Sequence, residues 1–247
     1  NVTSVSNIAE AELYLDEYRD DMDVILQAKL DFDQYEEMTV DLSVSKQDIH
    51  ITNVRKILFA DGLWVGNLIG RGVQVSPAQE AQLLRVGEYA REHHFGVTSQ
   101  SDTSDDQNLA FNLGIDYFTK LDGASAELAE IVITEINARW TGGLFPAELV
   151  RRLGIADQNV VAFIDMCPPS RFDDYVAFMQ RHLYGHSSQA FAMAPMGFSP
   201  FPMEIEGTEY LFVWQIAIGD FEAFKAVKEA ELGNEVLTTT PNISTGL

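Results

Sequence analysis

The stretch at residues 131–146, IVITEINARWTGGLFP, constrains the fold of this chain more than any other stretch. It opens with β-branched apolar residues, which favour a pleated, half-buried strand. Polar residues then occupy alternate positions, at Glu135, Asn137 and Arg139. Because a strand points every second side chain to the same face, we expect a carboxylate, an amide and a guanidinium in one row, about 6–7 Å apart. The glycines that follow predict the end of the strand, and Pro146 predicts the start of a helix.

A second apolar run lies upstream, at residues 114–121, and carries Asp116. The turn signal Asp122-Gly123 ends this run and predicts an antiparallel hairpin with residues 130–139. In that hairpin Asp116 and Glu135 lie roughly opposite each other. Opposed carboxylates repel, and a divalent cation between them removes that cost. The sequence therefore predicts a Mg²⁺ site, beside an arginine that can bind phosphate oxygens.

These motifs resemble the C-terminal metal-binding signature of the ATP-grasp ligases. The resemblance is carried by Asp116 after a glycine, by Glu135, Asn137 and Arg139 at alternate positions, and by the glycine pair that follows. It implies that Asp116, Glu135 and Asn137 hold Mg²⁺ or Mn²⁺ against the phosphates of ATP. It also implies that Arg139 contacts the phosphates or an acyl-phosphate. The alternative is an amphipathic edge strand whose exposed face carries ordinary polar residues.

The same resemblance implies where the rest of the nucleotide would bind. In the family, a first strand leads into a hinge that receives the adenine, and a glutamate shortly afterwards contacts the ribose. By position, Gln27, Lys29 and Leu30 would form the hinge, and Glu36 or Glu37 would contact the ribose hydroxyls. The alternative for both glutamates is a solvated loop.

The acidity of the chain limits its partners. Its 247 residues carry a formal net charge of −22, which argues against nucleic acid and anionic membranes, since both are bound by clustered Lys and Arg. ATP binding on such a chain needs local cations. Arg55 and Lys56 form an adjacent basic pair, and Lys56 is the candidate for a phosphate contact, with Arg55 or a surface role as the alternatives.

Cys167 is the only cysteine, so an intrachain disulfide is impossible and a reducing, cytoplasmic location is expected. We interpret it as a structural thiol rather than a nucleophile. No apolar run is long enough to predict a transmembrane helix. The Met- and Phe-rich run at residues 191–203 is a candidate interface for a homodimer.

Local patterns predict an α+β fold. We expect an ATP-grasp-like C-terminal subdomain, with a mostly antiparallel sheet and flanking helices, at residues 1–153, and a small α/β C-terminal extension at residues 154–247. A loop is expected at residues 97–108. Helices are predicted at residues 7–20, 77–95, 146–153, 171–184 and 221–232, and strands at residues 22–30, 39–45, 48–53, 55–60, 114–121, 130–139, 159–166 and 209–218.

Together with the resemblance, these features predict the C-terminal part of an ATP- and Mg²⁺-dependent ligase. It would join a small-molecule carboxylate to an amine through an acyl-phosphate. Residues 1–153 lack the phosphate-binding lysine and the glycine-rich loop that the family carries ahead of this region. We therefore expect a longer parent protein and poor nucleotide binding by this part alone. The alternative is a non-catalytic nucleotide-binding or interaction domain of the same fold.

Overall fold

The computed structural model describes residues 5–18, 27, 30–31, 33–60, 63–93, 110–121, 123, 130–186 and 190–238. Apart from Gln27 and Leu30, the predicted strand at residues 22–30 lies outside this part of the chain. The predicted loop at residues 97–108 lies outside it entirely. None of the helices in the described part is both long and apolar enough to cross a bilayer.

The described residues alternate between strands and helices in a mixed order. The helices are α1 (Ile8–Tyr18), α2 (Pro77–Glu92), α3 (Leu144–Leu153), α4 (Phe172–Arg181) and α5 (Phe221–Leu232). The strands are β1 (Tyr35–Val44), β2 (Ile49–Ala60), β3 (Leu63–Gly70), β4 (Phe111–Lys120), β5 (Ile131–Asn137), β6 (Asn159–Cys167), β7 (Phe191–Phe198), β8 (Met203–Ile205), β9 (Thr208–Gly219) and β10 (Leu237–Thr238).

The described strands form one connected sheet. Its order is β5-β4-β1-β2-β3-β6-β9-β7, with β10 beside β6 and β8 beside β9. All of these strand pairs are antiparallel. The predicted α+β class, with a mostly antiparallel sheet and flanking helices, is therefore confirmed. Because β3 pairs with β6, the sheet continues across residues 153 and 154, where the sequence suggests a domain boundary.

Different helices cover the two faces of the sheet. On one face, Leu83 of α2 packs in one apolar cluster, and Phe178 of α4 and Phe224 of α5 pack in another. Leu68 of β3 contacts both clusters, which places these helices on the same side of the sheet. On the opposite face, Val150 of α3 packs against β3, β6 and β9. Beside α3, the segment that follows β5 lies over part of this second face, where Thr141 contacts Asp41 of β1.

The predicted helix at residues 221–232 is confirmed to the residue as α5. The two predicted strands at residues 48–53 and 55–60 are one strand, β2. A β-bulge interrupts its apolar alternation, because Asp41 pairs with Asn53 whereas Leu42 pairs with Ile51. The extra residue, Thr52, donates its hydroxyl proton to the carbonyl oxygen of Asp41 at 3.0 Å. Because a bulge shifts the alternation of side chains by one residue, a search for alternating residues predicts two strands where the structure has one.

Candidate functional site

A cavity of about 260 Å³ opens on the side of the sheet that carries α3. We call this side the cavity face and define it by Thr39 of β1, Arg55 of β2 and Asn67 of β3. The lining residues come from five strands and from the segment that follows β5. They are Thr39, Arg55, Ile57, Trp64, Asn67, Asp116, Glu135, Asn137, Arg139, Thr141, Gly142 and Gly143.

A pair of carboxylates lies at the β4–β5 end of this cavity. Asp116 and Glu135 are directly opposite each other in the antiparallel register, as the hairpin predicts. A β-bulge makes this possible, since Asp116 pairs with Glu135 but Tyr117 pairs with Ile133. The extra residue, Thr134, donates to the carbonyl oxygen of Asp116 at 3.0 Å. Without the bulge, Glu135 would point to the same face as Ile133, away from the cavity.

In the described part of the chain, the carboxylate pair is balanced only in part, by the charge of Arg55, which opposes the rise in the pKa of Asp116. Burial, and then repulsion from Glu135, raises the pKa of Asp116, although a hydrogen bond from Thr39 opposes this shift. Asn137 is 7% exposed and donates its amide proton to Asp116 at 3.2 Å. The end of the cavity therefore holds negative charge that a bound cation would stabilise.

The donor set suits one cation more than others. Among the described residues there is no group of three or more His, Cys, Asp or Glu side chains placed to hold a metal ion. Two carboxylates and one amide are oxygen donors, and Mg²⁺ is usually held by one or two protein carboxylates together with phosphates and water. The residues present therefore fit Mg²⁺ or Mn²⁺ bound with a phosphate ligand, and do not fit a site made of protein donors alone.

Arg139 lies beyond the end of β5, which stops at Asn137. The predicted strand to residue 139 is wrong there, because the backbone N–H of Arg139 turns back to the carbonyl oxygen of Asn137 at 2.8 Å. The side chain is exposed and lines the cavity. The guanidinium contacts only the carbonyl oxygen of Trp140, at 3.4 Å, among the hydrogen bonds of the described residues. It is thus available to an anionic ligand.

A fully buried ion pair forms the floor of the cavity. Arg55 and Asp41 are both 0% exposed and are hydrogen-bonded to each other. Arg55 also donates to Thr141 at 3.1 Å, and Thr141 donates to Asp41 at 3.2 Å. Asn112 donates to Asp41 at 2.9 Å and to the carbonyl oxygen of Arg139 at 3.1 Å. Asp41 thus anchors the segment that carries Arg139.

The alternation in β1 predicts that Thr39 and Asp41 face solvent, and the structure corrects this. Both side chains are buried, at 4% and 0% exposure. Thr141, which lies 100 residues after Asp41 in the chain, donates a hydrogen bond to Asp41 and covers it. Sequence alternation correctly shows that the two residues share a face, but it cannot show that a distant segment covers that face.

The other predicted nucleotide contacts do not all lie at the cavity. Lys56 is opposite Met38 in the strand register, and Met38 packs in the core beneath α2. The ammonium group of Lys56 forms an ion pair with Glu36 at 2.5 Å. Both residues therefore lie on the face away from the cavity, whereas Glu37 and Arg55 lie on the cavity face. Of the predicted hinge, Gln27 and Leu30 do not line the cavity. Lys29 lies outside the described residues.

Sequence reasoning missed Asp41, Asn67 and Asn112. One signal was present: Asp41 lies on the polar side of an alternating strand, and the next strand carries Arg55, two residues beyond Asn53, the partner of Asp41. For Asn67 no local signal exists, because its burial depends on the Gly142–Gly143 segment.

Cys167 is fully buried, and burial raises the pKa of its thiol to about 11, as expected for a structural residue.

We predict that Glu37→Gln stabilises the ligand-free protein at high pH. Burial, and then Asp116, raises the pKa of Glu37 from 4.5 to about 7. A carboxyl whose pKa is raised by folding stabilises the fold below its unfolded pKa and loses that contribution as pH rises through its folded pKa. The difference in unfolding free energy between the variant and the wild type should therefore be near zero at pH 4. It should grow between pH 4.5 and 7 to at most about 3 kcal/mol in urea titrations.

Glu36→Gln is the matched control for this prediction. Its side chain lies on the other face and loses only a partly exposed ion pair with Lys56. It should show no gain over the same pH range. An equal gain in both variants would mean that general acidity, rather than the cavity, destabilises the protein.

We also predict that Gly143→Ala destabilises the cavity wall. The backbone of Gly143 has φ −73° and ψ −13°, which alanine adopts freely, so the cost is steric. The added methyl carbon would lie 2.5 Å from Nε of Arg55 and 3.0 Å from Oδ1 of Asn67. We expect a loss of about 1–3 kcal/mol in the free energy of unfolding. Gly142→Ala, whose methyl carbon would meet no atom within 4 Å, should change little, and equal losses in both variants would contradict this packing.

No protein-family model and no curated protein matches the sequence. Solved structures do match the fold. An ADP complex of N5-carboxyaminoimidazole ribonucleotide synthetase matches 79% of this chain and 47% of its own, at 11% identity and a TM-score of 0.40. An L-amino acid ligase from Bacillus licheniformis matches 85% of this chain and 53% of its own, at 10% identity and a TM-score of 0.42.

The ATPase subunit of phosphoribosylaminoimidazole carboxylase from Aquifex aeolicus is also similar. It matches 91% of this chain and 70% of its own, at 10% identity and a TM-score of 0.42. These proteins are ATP-grasp ligases, the family that the sequence motifs resemble. The chain spans about half the length of the first two structures. The likeness concerns the fold alone, and at these TM-scores it carries no argument about the site.

Proposed function

We propose that this chain forms part of an ATP- and Mg²⁺-dependent ligase that joins a carboxylate to an amine. One observation carries the proposal. Asp116 and Glu135 face each other across β4 and β5, with Asn137 and the exposed Arg139 beside them, at one end of a cavity of about 260 Å³. Opposed carboxylates beside an available guanidinium suit a cation bound together with phosphates.

Asp116, Glu135 and Asn137 would hold the cation, and each has a defined support. The Thr134 bulge fixes the register that aims Glu135 at the cavity, and Asn137 is hydrogen-bonded to Asp116. When bound, Mg²⁺ would supply charge neutralisation for the phosphates. Arg139 would bind phosphoryl oxygens through its two outer nitrogens, since a guanidinium matches phosphate geometry in a bidentate way.

The reaction needs no nucleophile from the protein. The substrate carboxylate would attack the γ-phosphorus of ATP, which releases ADP and forms an acyl-phosphate. The amine would then attack the acyl carbon, phosphate would leave, and a proton from the amine would pass to water. Arg139 and the cavity would contribute by orienting the reactants and stabilising the developing charge.

Contacts with the nucleoside part of ATP belong to the same proposal. Glu37 is the better placed of the two candidate ribose contacts, because it lies on the cavity face near Asp116. The hinge role of Gln27, Lys29 and Leu30 rests on the family resemblance. Lys56 is engaged by Glu36, so Arg55 is the member of the basic pair that lines the cavity.

Calorimetry on the full-length protein tests the proposal. ATP should bind in the presence of Mg²⁺ and far more weakly in its absence. The double variant Glu135→Ala/Asn137→Ala should lose the Mg²⁺-dependent binding, whereas the exposed control pair Glu204→Ala/Asn234→Ala should retain it. Amino acids would then be screened as carboxylate and amine substrates by phosphate release. Mg²⁺-dependent binding without any turnover would favour a non-catalytic nucleotide-binding domain, and unchanged binding in the double variant would overturn the site.

A further inference from the structure

The β2–β3 end of the cavity carries a buried amide whose oxygen has no partner. Asn67 is 2% exposed, lines the cavity, and its Oδ1 atom accepts no hydrogen bond. Buried polar atoms without a hydrogen-bond partner are rare in native proteins, and those that occur often have a functional role. A ligand that donates an N–H or O–H group in the cavity would satisfy this oxygen.

Trp64 is built into the same end of the cavity by a β-bulge. Leu58 pairs with Gly66, but the next residue, Phe59, pairs with Trp64, which leaves Val65 as the extra residue. Val65 packs in the core on the other face, so the bulge turns Trp64 back to the cavity face. Bulges of this kind re-aim side chains beside functional sites. The indole is 45% exposed, which leaves apolar surface free for a ligand.

The charge at this end differs from that at the carboxylate end. Ile57 is opposite Asn67 in the register and adds a second apolar wall. The guanidinium of Arg55 is paired with Asp41, so its charge is balanced, although its Nε atom has no hydrogen-bond partner. This end is therefore neutral, with an amide between apolar side chains. A carboxylate placed against Oδ1 of Asn67 would lose hydration and bring two hydrogen-bond acceptors together.

We propose that Asn67, Trp64 and Ile57 form a substrate subsite that selects an uncharged carboxamide next to an aromatic or branched aliphatic side chain. The inference rests on the proposed function, because that function places a small-molecule substrate in this cavity. A carboxamide presents an N–H to Oδ1 of Asn67 and a carbonyl oxygen to Nε of Arg55, the unpartnered donor of this cavity. The neighbouring side chain of the ligand packs on Trp64 and Ile57, and Asn67 and Trp64 thus determine specificity.

L-phenylalaninamide is the probe. Its binding is monitored through the indole N–H signals of the full-length protein in NMR titrations. This chain has three tryptophans, and the signal from Trp64 should shift most, ahead of those from Trp140 and Trp214. L-phenylalanine, which replaces the amide with a carboxylate, and L-alaninamide, which lacks the aromatic ring, should each bind about tenfold more weakly.

Variants identify the side chains that make the contacts. Asn67→Leu and Trp64→Ala should each weaken L-phenylalaninamide binding about tenfold. Two matched controls are available. Asn159 also has an unpartnered Oδ1 atom, and Trp214 is 38% exposed, but neither lines the cavity. Asn159→Leu and Trp214→Ala should therefore leave the affinity within about twofold. A thermal melt checks that each variant is folded.

Three results would overturn the subsite: equal binding of L-phenylalaninamide and L-phenylalanine, unchanged affinity in Asn67→Leu, or no saturable binding by the wild type. Mg²⁺-dependent ATP binding is measured separately and depends on Asp116 and Glu135. Loss of ATP binding in every protein, with amide binding retained through Asn67, would contradict the ligase function and leave the subsite standing.

Discussion

Replacing Asp41 with alanine is expected to lower the free energy of unfolding by about 3–5 kcal/mol. Asp41 and Arg55 are both fully buried, so the substitution leaves a guanidinium in the protein interior without its anionic partner. The hydrogen bonds that Asp41 accepts from Asn112 and Thr141 are lost as well. Urea unfolding measures the change.

Two comparisons separate this effect from the loss of an ordinary ion pair. Glu148→Ala removes an exposed carboxylate from Arg151 and Arg152, and should leave the urea midpoint almost unchanged. The double variant Asp41→Leu/Arg55→Met replaces the buried pair by apolar groups and should recover much of the stability lost by Asp41→Ala. A loss below about 1 kcal/mol in Asp41→Ala would show that the floor of the cavity is solvated.

Replacing Asp116 with asparagine should change stability in opposite directions with and without ligand. Folding raises the pKa of Asp116, through burial and then Glu135, so its ionised form costs stability once the pH exceeds the ordinary value of 3.8. At pH 8 without ligand, the variant should therefore be more stable than the wild type, by about 1 kcal/mol. With Mg²⁺ and ATP at about 100 times Kd, the wild type should gain about 2.7 kcal/mol and the variant little.

Thermal melts with and without Mg²⁺ and ATP measure this inversion. Asp157→Asn, at an exposed turn, is the control and should respond to the ligand as the wild type does. If Asp116→Asn keeps the full ligand-dependent gain, Asp116 does not contribute to the cation site. If it is less stable than the wild type without ligand, its carboxylate is stabilising and the pair does not repel.

The sequence predicted the parts of the fold that depend on local pattern. The apolar stripe of α5 predicted its bounds, and the predicted end of α3 at residue 153 agrees with Gly154, whose φ of 67° ends the helix. The hairpin that opposes Asp116 to Glu135 followed from a turn signal between two apolar runs. In each case the information lies within a few residues of the structure it determines.

The side of the sheet to which the polar positions of each strand point could not be predicted in the same way. Alternation identifies which residues share a face, but not which face is covered. It therefore gave no basis for preferring Lys56 to Arg55 as the phosphate contact, or for separating Glu36 from Glu37. The bulge at Thr134 changes the phase of β5 and aims Glu135 at the cavity, and no local pattern announces it. The burial of Asp41 depends on Thr141, 100 residues away.

The most direct test of the cation site is a Mn²⁺ titration followed by electron paramagnetic resonance, with a non-hydrolysable ATP analogue present. Mn²⁺ accepts the same oxygen donors as Mg²⁺, and its free signal falls as it binds. The wild type should bind Mn²⁺ only with the analogue, and Glu135→Gln should weaken binding at least about tenfold, since even outer partners of metal ligands have effects of that size. Equal Mn²⁺ affinity in the wild type and in Glu135→Gln would contradict the assignment of Asp116, Glu135 and Asn137 as the metal ligands.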